Sequence, residues 1–216
     1  VTFVENVDIT EVTENGGKLT LKDGKGYEIQ TDYAVAAIGR GAAVGSLHLD
    51  RVNVTVNRGG IAVNEFLQTS NPKIYALGDV IDKTAGRLTP VSGFEARYLL
   101  ANWDKQSPEA ISYPAIPSIV FGATKLAKVG ETTGSSVKEI DTTGWYTYRR
   151  VGDPLAKIKL YSNEEGLIVG ASILSTLADE LVNFLSILIN KKISLMEAKS
   201  LIMAYPTPAS DLTYYY

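Results

Sequence analysis

Period-two alternation opens the chain. Val7 and Ile9 alternate with polar neighbours, Asn15-Gly16-Gly17 marks a turn, Leu19 and Leu21 alternate again, and Asp23-Gly24 is a hairpin signal, so a small β-meander is predicted. Residues 33–38 form a continuous apolar run of the kind covered on both faces of a sheet, stopped by Gly39-Arg40-Gly41. After an irregular stretch with a short strand at 60–63, residues 73–77 predict a second buried strand, closed by Gly78-Asp79. The spacing then changes to that of a helix: Thr89 as N-cap and Pro90 at the first helical position precede Val91, Phe94, Tyr98 and Ala101, which predicts a helix to about Trp103.

Pro108, Pro114 and Pro117 in a polar-opening stretch mark a linker, with a domain boundary near residue 110. Beyond it the pattern predicts antiparallel strands at 118–121, 145–148, 156–161 and 167–174, the last two joined by a turn at 163–166. A helix over about 176–190 carries Leu177, Leu181, Phe184, Leu185, Leu188 and Ile189 on one face. Val182 and Ile187 extend its apolar character to the other side, so both faces are expected to be covered. Ser194 to Glu197 reads as a capping box opening a helix to about Met203.

With 216 residues the chain makes one large or two small domains, and 45% hydrophobic with 21% charged residues places it among ordinary globular proteins. Its 21 basic and 24 acidic residues include no long basic run, so nucleic acid is not an expected partner. There is no cysteine and a single histidine, His48, which excludes a thiolate metal site, a redox thiol pair and a three-histidine zinc site within this sequence. No apolar run approaches the roughly 20 residues of a membrane span, so no membrane partner is expected and a cytoplasmic location is. The chain opens on a strand-like run with neither Met nor a signal pattern, which reads as a piece of a longer protein.

The strongest chemical signal is a strand ending in Gly78-Asp79, a loop, and the helix opened by Leu88-Thr89-Pro90-Val91. A carboxylate at a strand end accepts hydrogen bonds from ligand hydroxyls, Gly78 permits close backbone approach, and the helix start stabilises an anion. A loop or capping role for Asp79 is the plain alternative. His48 reads as a surface or packing residue, Asp179 and Glu180 as a helix-dipole pair, and Tyr214, Tyr215 and Tyr216 as an exposed or interface tail.

Residues 74–80 followed by 88–91 and Arg97 resemble the second flavin-binding motif of the pyridine nucleotide-disulfide oxidoreductases, the glutathione reductase-like flavoenzymes. Residues 37–40 resemble the closing strand of that family's nucleotide domain, 60–70 the approach to the flavin motif, and 116–130 the opening of its dimerisation domain. The implied fold is α/β plus α+β: a partial nucleotide- and FAD-binding region followed by an antiparallel sheet with helices. Its implied divisions are 1–40, the end of the NAD(P)-binding domain; 41–110, an FAD-contacting segment; and 111–216, the dimerisation domain.

The resemblance implies FAD and NAD(P)H as cofactors of a homodimeric parent oxidoreductase, with an electron acceptor left open and an isolated fragment that is inactive. Asp79 would bind the flavin ribityl chain, beside Gly78; Leu88, Thr89, Pro90 and Val91 would bring a helix N-terminus to the flavin pyrimidine edge. Gly39 and Arg40 would lie near the nicotinamide nucleotide, and Val120 near the ring-stacking region. A non-catalytic dimerising adaptor on the same fold is the competing reading.

Two departures stand out. The 82–87 loop is longer than usual, and Tyr205-Pro206-Thr207 occupies the place of a His-Pro-Thr motif, with Ser210 at the partner Glu position and Asp211 one beyond. A tyrosine is a poor proton shuttle near neutrality. Tyr205 therefore reads first as a packed aromatic, then as a hydrogen-bond donor to an unusual substrate, and last as a weak dyad with Asp211.

Overall fold

The computed structural model describes residues 1–84, 86–134 and 136–215. Two compact units, Val1–Gly41 and Ala42–Tyr216, divide the chain.

The first unit is the expected meander: β1 (Glu11–Asn15), β2 (Lys18–Lys22) and β3 (Glu28–Thr31) pair antiparallel in that order. Gly16 and Gly17 both take positive φ between Asn15 and Lys18, the geometry of a two-residue hairpin. At the next corner Asp23 Oδ1 accepts the backbone N–H of Lys25 at 2.7 Å and of Tyr27 at 2.9 Å. The expected buried strand at 33–38 does not form. Tyr33, Val35 and Ile38 are 87, 90 and 97% exposed, and no described strand pairs with the run. A strand covered on both faces needs neighbouring strands for its backbone and side chains, and none of this unit's three strands pairs with the run.

The second unit is built on a five-stranded antiparallel sheet in the order β6-β7-β10-β9-β8. The strands are β6 (Ser118–Val120), β7 (Lys125–Gly130), β8 (Ser136–Asp141), β9 (Lys157–Ser162) and β10 (Ile168–Ser175). Register places Ile119, Ala127, Ile173, Ile158 and Ile140 in one row across all five strands, and Val129, Ala171 and Leu160 in the next row. Helix α3 (Ala178–Lys191) lies on that apolar face with Leu181, Val182, Leu185 and Leu188 buried against it. Each such side chain contributes roughly 1.5–3 kcal/mol by leaving water. The two-sided burial expected of this helix is not met within the chain, because Ile187 is 56% exposed while Val182 turns out to belong to the sheet side. Lys125 and Asp179, 2.6 Å apart, tie the start of α3 to β7.

Three further elements differ from expectation. Residues 145–148 are not a strand: Tyr146–Arg150 form a short helix, α2, because helical turning brings Tyr148 into the core, where its hydroxyl meets that of Tyr215 at 3.2 Å. Tyr215 is accordingly fully buried, not part of an exposed tail, while Tyr214 is 59% exposed; Tyr216 lies outside the described residues. The capping box of Ser194 and Glu197 forms as expected, yet its helix α4 (Leu195–Lys199) stops four residues short of Met203. A second box, Thr207 with Ser210, starts α5 (Pro208–Asp211) after a cis Tyr205-Pro206 bond.

Candidate functional site

The segment 73–77 is extended but is not a buried strand. It meets the preceding loop through one bridge between Tyr75 and Gln68, and Tyr75 is 38% exposed. What the site requires is present all the same, since the segment delivers the chain into a tight helical turn at Gly78–Val80. Gly78 is buried with φ +80°, and a Cβ there would stand 3.2 Å from Ser92 Oγ on helix α1 (Thr89–Asn102). Positive φ and that close approach both call for glycine. The Asp79 side chain is exposed, and among the described residues nothing pairs with it.

Behind Asp79 the loop is fastened inward. Ile81, 1% exposed, bridges Ile61 of the hairpin formed by β4 (Val56–Asn57) and β5 (Gly60–Ile61). The expected strand at 60–63 is thus only its first two residues. Asp82 accepts from Asn57 Nδ2 at 2.8 Å, and the Arg87 guanidinium donates to the Gly59 carbonyl. Gly60, at φ +139°, lies so close to the chain that a Cβ would be 2.2 Å from the Val80 carbonyl oxygen. The longer 82–87 loop therefore spends its charged side chains on the protein itself.

Helix α1 begins at Thr89, so the N-cap position belongs to Leu88, in extended backbone, and not to Thr89 as expected. No side chain caps this end. Thr89 and Pro90 are exposed, Val91 is buried, and the turn at Gly78–Val80 packs against the helix. An uncapped helix start is a centre of positive potential, and an unpaired carboxylate on the adjoining turn is a hydroxyl acceptor. Gly78, Asp79, Leu88, Thr89, Pro90 and Val91 are thus brought together in the Ala42–Tyr216 unit, whereas Gly39 and Arg40 belong to the Val1–Gly41 unit.

Glu95 was not among the sequence candidates. It is fully buried on α1 and accepts from Gly78 N–H at 2.6 Å, Lys83 Nζ at 2.6 Å and the Tyr113 hydroxyl at 2.8 Å. The signal was in the sequence: position 95 follows Val91 by four, and so places a carboxylate on the apolar side of the helix. Burial, and then the bond to Glu95, push the Tyr113 phenol well above its ordinary range.

At the C-terminus, Tyr205 is 66% exposed and stacks on Tyr146 with ring centres 6.2 Å apart. No hydrogen bond joins it to Asp211. Asp211 is 3% exposed, and burial raises its carboxyl above the usual range. Thr147 lies beside it, yet neither Thr147 Oγ1 nor Asp211 Oδ2 finds a partner in hydrogen-bond geometry. With Trp145, Tyr146, Tyr205 and Tyr214 they line a cavity of about 350 Å³. Ser210 is taken up by the Thr207 box, and His48 is an exposed residue in left-handed backbone. Val120 is 67% exposed.

A sequence model of the pyridine nucleotide-disulphide oxidoreductases matches residues 1–98. An uncharacterized 19.7 kDa protein in the mercuric resistance operon of Staphylococcus aureus is 37% identical over 178 residues, 78% of this chain and 99% of that protein. The chain belongs to the pyridine nucleotide-disulphide oxidoreductase family. Members of this family use FAD and NAD(P)H. Dihydrolipoyl dehydrogenase of Geobacillus stearothermophilus is 29% identical over 208 residues, 91% of this chain but 44% of the enzyme. The fold matches that of the HOCl-induced flavoprotein disulfide reductase RclA from Escherichia coli with a TM-score of 0.82 at 19% identity, over 97% of this chain and 50% of that one. The chain thus spans about half the length of these two proteins. Among the described residues no helix is long and apolar enough to cross a membrane.

Proposed function

We propose that the chain is the C-terminal portion of an FAD- and NAD(P)H-dependent oxidoreductase, contributing part of the flavin site and the homodimer interface. The observation that carries this reading is the Asp79 carboxylate, unpaired among the described residues, on a turn packed against the uncapped start of α1. Both features fit the group. Asp79 would accept hydrogen bonds from ribityl hydroxyls, with Gly78 allowing close approach. The N-terminus formed by Leu88, Thr89, Pro90 and Val91 would face the pyrimidine edge, where its dipole is worth up to about 2 kcal/mol toward negative charge. Bound FAD supplies the chemistry of accepting hydride from nicotinamide and passing electrons on. Gly39 and Arg40 are assigned to the nicotinamide nucleotide on the strength of the family resemblance.

The dimer interface is assigned to the 111–216 region, whose outer surfaces expose Ile187, Met196 and Ile202, the last fully. Relatives in this family are typically homodimers. Tyr205 in place of the family histidine argues against glutathione-like disulfide reduction, and the acceptor is left unassigned.

The test is spectroscopic. The purified full-length protein is expected to be yellow, with flavin absorbance bleached by NADH or NADPH under anaerobic conditions. Reoxidation is then followed with lipoamide, oxidised glutathione and mercuric ion, a panel drawn from the names of its relatives. A colourless protein that FAD cannot reconstitute supports the adaptor reading instead.

A further inference from the structure

The turn that carries Asp79 is held from behind. Of the three donors on Glu95, two come from the stretch that brackets Asp79, namely Gly78 N–H and Lys83 Nζ, and the third is Tyr113, just ahead of β6. A buried carboxylate costs several kcal/mol unless its lone pairs are met, and here both oxygens are engaged. Its neighbours along the buried side of α1, Val91 and Phe94, are apolar and supply no reason of packing for an acid at 95. Lys83 is equally committed, its side chain 6% exposed against Glu95. Tyr113 is pinned by its ring on Phe94, 5.8 Å between centres, and Ala115 is anchored to α3 through Asn190, whose Oδ1 accepts from Ala115 N–H at 2.7 Å.

We infer that Glu95 is a positioning residue for flavin binding: sealed from solvent, it fixes the Gly78–Val80 turn on α1, so that Asp79 presents its carboxylate in one orientation. This rests on the flavin reading above. Glu95 acts on a ligand only through the backbone of Gly78, and Lys83 and Tyr113 hold Glu95 in place for that task.

A double-mutant cycle in the full-length protein tests it, with FAD binding followed by flavin fluorescence for wild type, Asp79→Ala, Glu95→Gln and the double variant. A residue that acts through Asp79 is non-additive with it. Each single variant is expected to weaken FAD about tenfold, the cost of one charge-assisted hydrogen bond, and the double variant to bind no more weakly than Asp79→Ala. Losses that multiply in the double variant overturn the inference, as does a Glu95→Gln protein that binds FAD like wild type; in both cases the flavin reading stands. A wild type that binds no FAD overturns that reading itself. Should Glu95→Gln not fold, Lys83→Met combined with Glu95→Gln removes the orphaned ammonium, and Tyr113→Phe removes one donor while keeping the ring on Phe94. Either serves in the same cycle.

Discussion

Single side chains in this protein are disposed according to whether a partner can reach them. Asp79 remains exposed and, among the described residues, unpaired, whereas Glu95, buried, gathers three donors. Asp211 is buried with one oxygen unmet, and burial raises its carboxyl. A raised carboxyl means that the folded chain binds its proton more tightly than the unfolded one. Stability therefore falls as pH rises from the ordinary aspartate range through the raised value. Asp211→Asn is expected to raise the melting temperature, more at pH 8 than at pH 4; equal shifts at both pH values would refute the argument. Asp179 works in the opposite sense. Lys125 holds its carboxyl below the usual range, so the Lys125–Asp179 contribution is present above the unfolded aspartate pKa and is lost as pH falls through the depressed folded value. Lys125→Met should therefore lower the melting temperature at pH 7 and change it little at pH 2. Asp79 was visible in the sequence because an acid after a glycine at a strand end has little packing use. Glu95 was visible only as an acid at a buried helix position, and its partners, 12 to 18 residues away, were not.

Elements formed where local pattern and tertiary neighbours agreed. Helix α1 and the β9–β10 hairpin form close to their expected bounds and the Ser194 box closes as its pattern requires, although Thr89 lies inside α1 and does not cap it. The 33–38 run and the 145–148 run did not follow theirs. The first lacks a strand beside it, and the second gains more by turning Tyr148 into the core than by extending. Strands β7 and β8 escaped the sequence reading because their alternation is short and broken: β7 turns Leu126 outward, and β8 turns Val137 outward while Lys138 shares the face of Ile140. Leu185, at 0% exposure in the centre of α3, is the test of the helix–sheet contact. Leu185→Ala should cost about 2–5 kcal/mol in chemical denaturation, while Ser194→Ala, which removes only the N-cap of α4, should cost about 1 kcal/mol.

At the level of the whole molecule, the sheet and α3, with Ala198, Leu212 and Tyr215, make one hydrophobic core in the second unit, with the turn at Gly78–Val80 and the start of α1 outside it. The outer side of α3 remains apolar at Ile187, which the dimer proposal assigns to the partner. Ile187→Lys is expected to weaken self-association in light scattering without lowering the melting temperature of the dissociated chain; an unaltered dimer would move the interface elsewhere. Sequence alone determined the family, the Gly78-Asp79 turn ahead of a proline-opened helix, and the antiparallel character of the later strands. These depend on local spacing, turn chemistry and backbone freedom, which neighbouring residues encode. Tertiary structure alone decided that Glu95 clamps the turn, that Tyr215 is core, and that the 33–38 run stays unpaired. Those outcomes depend on which distant groups arrive to satisfy a hydrogen bond or cover an apolar surface, and short-range pattern carries no record of that.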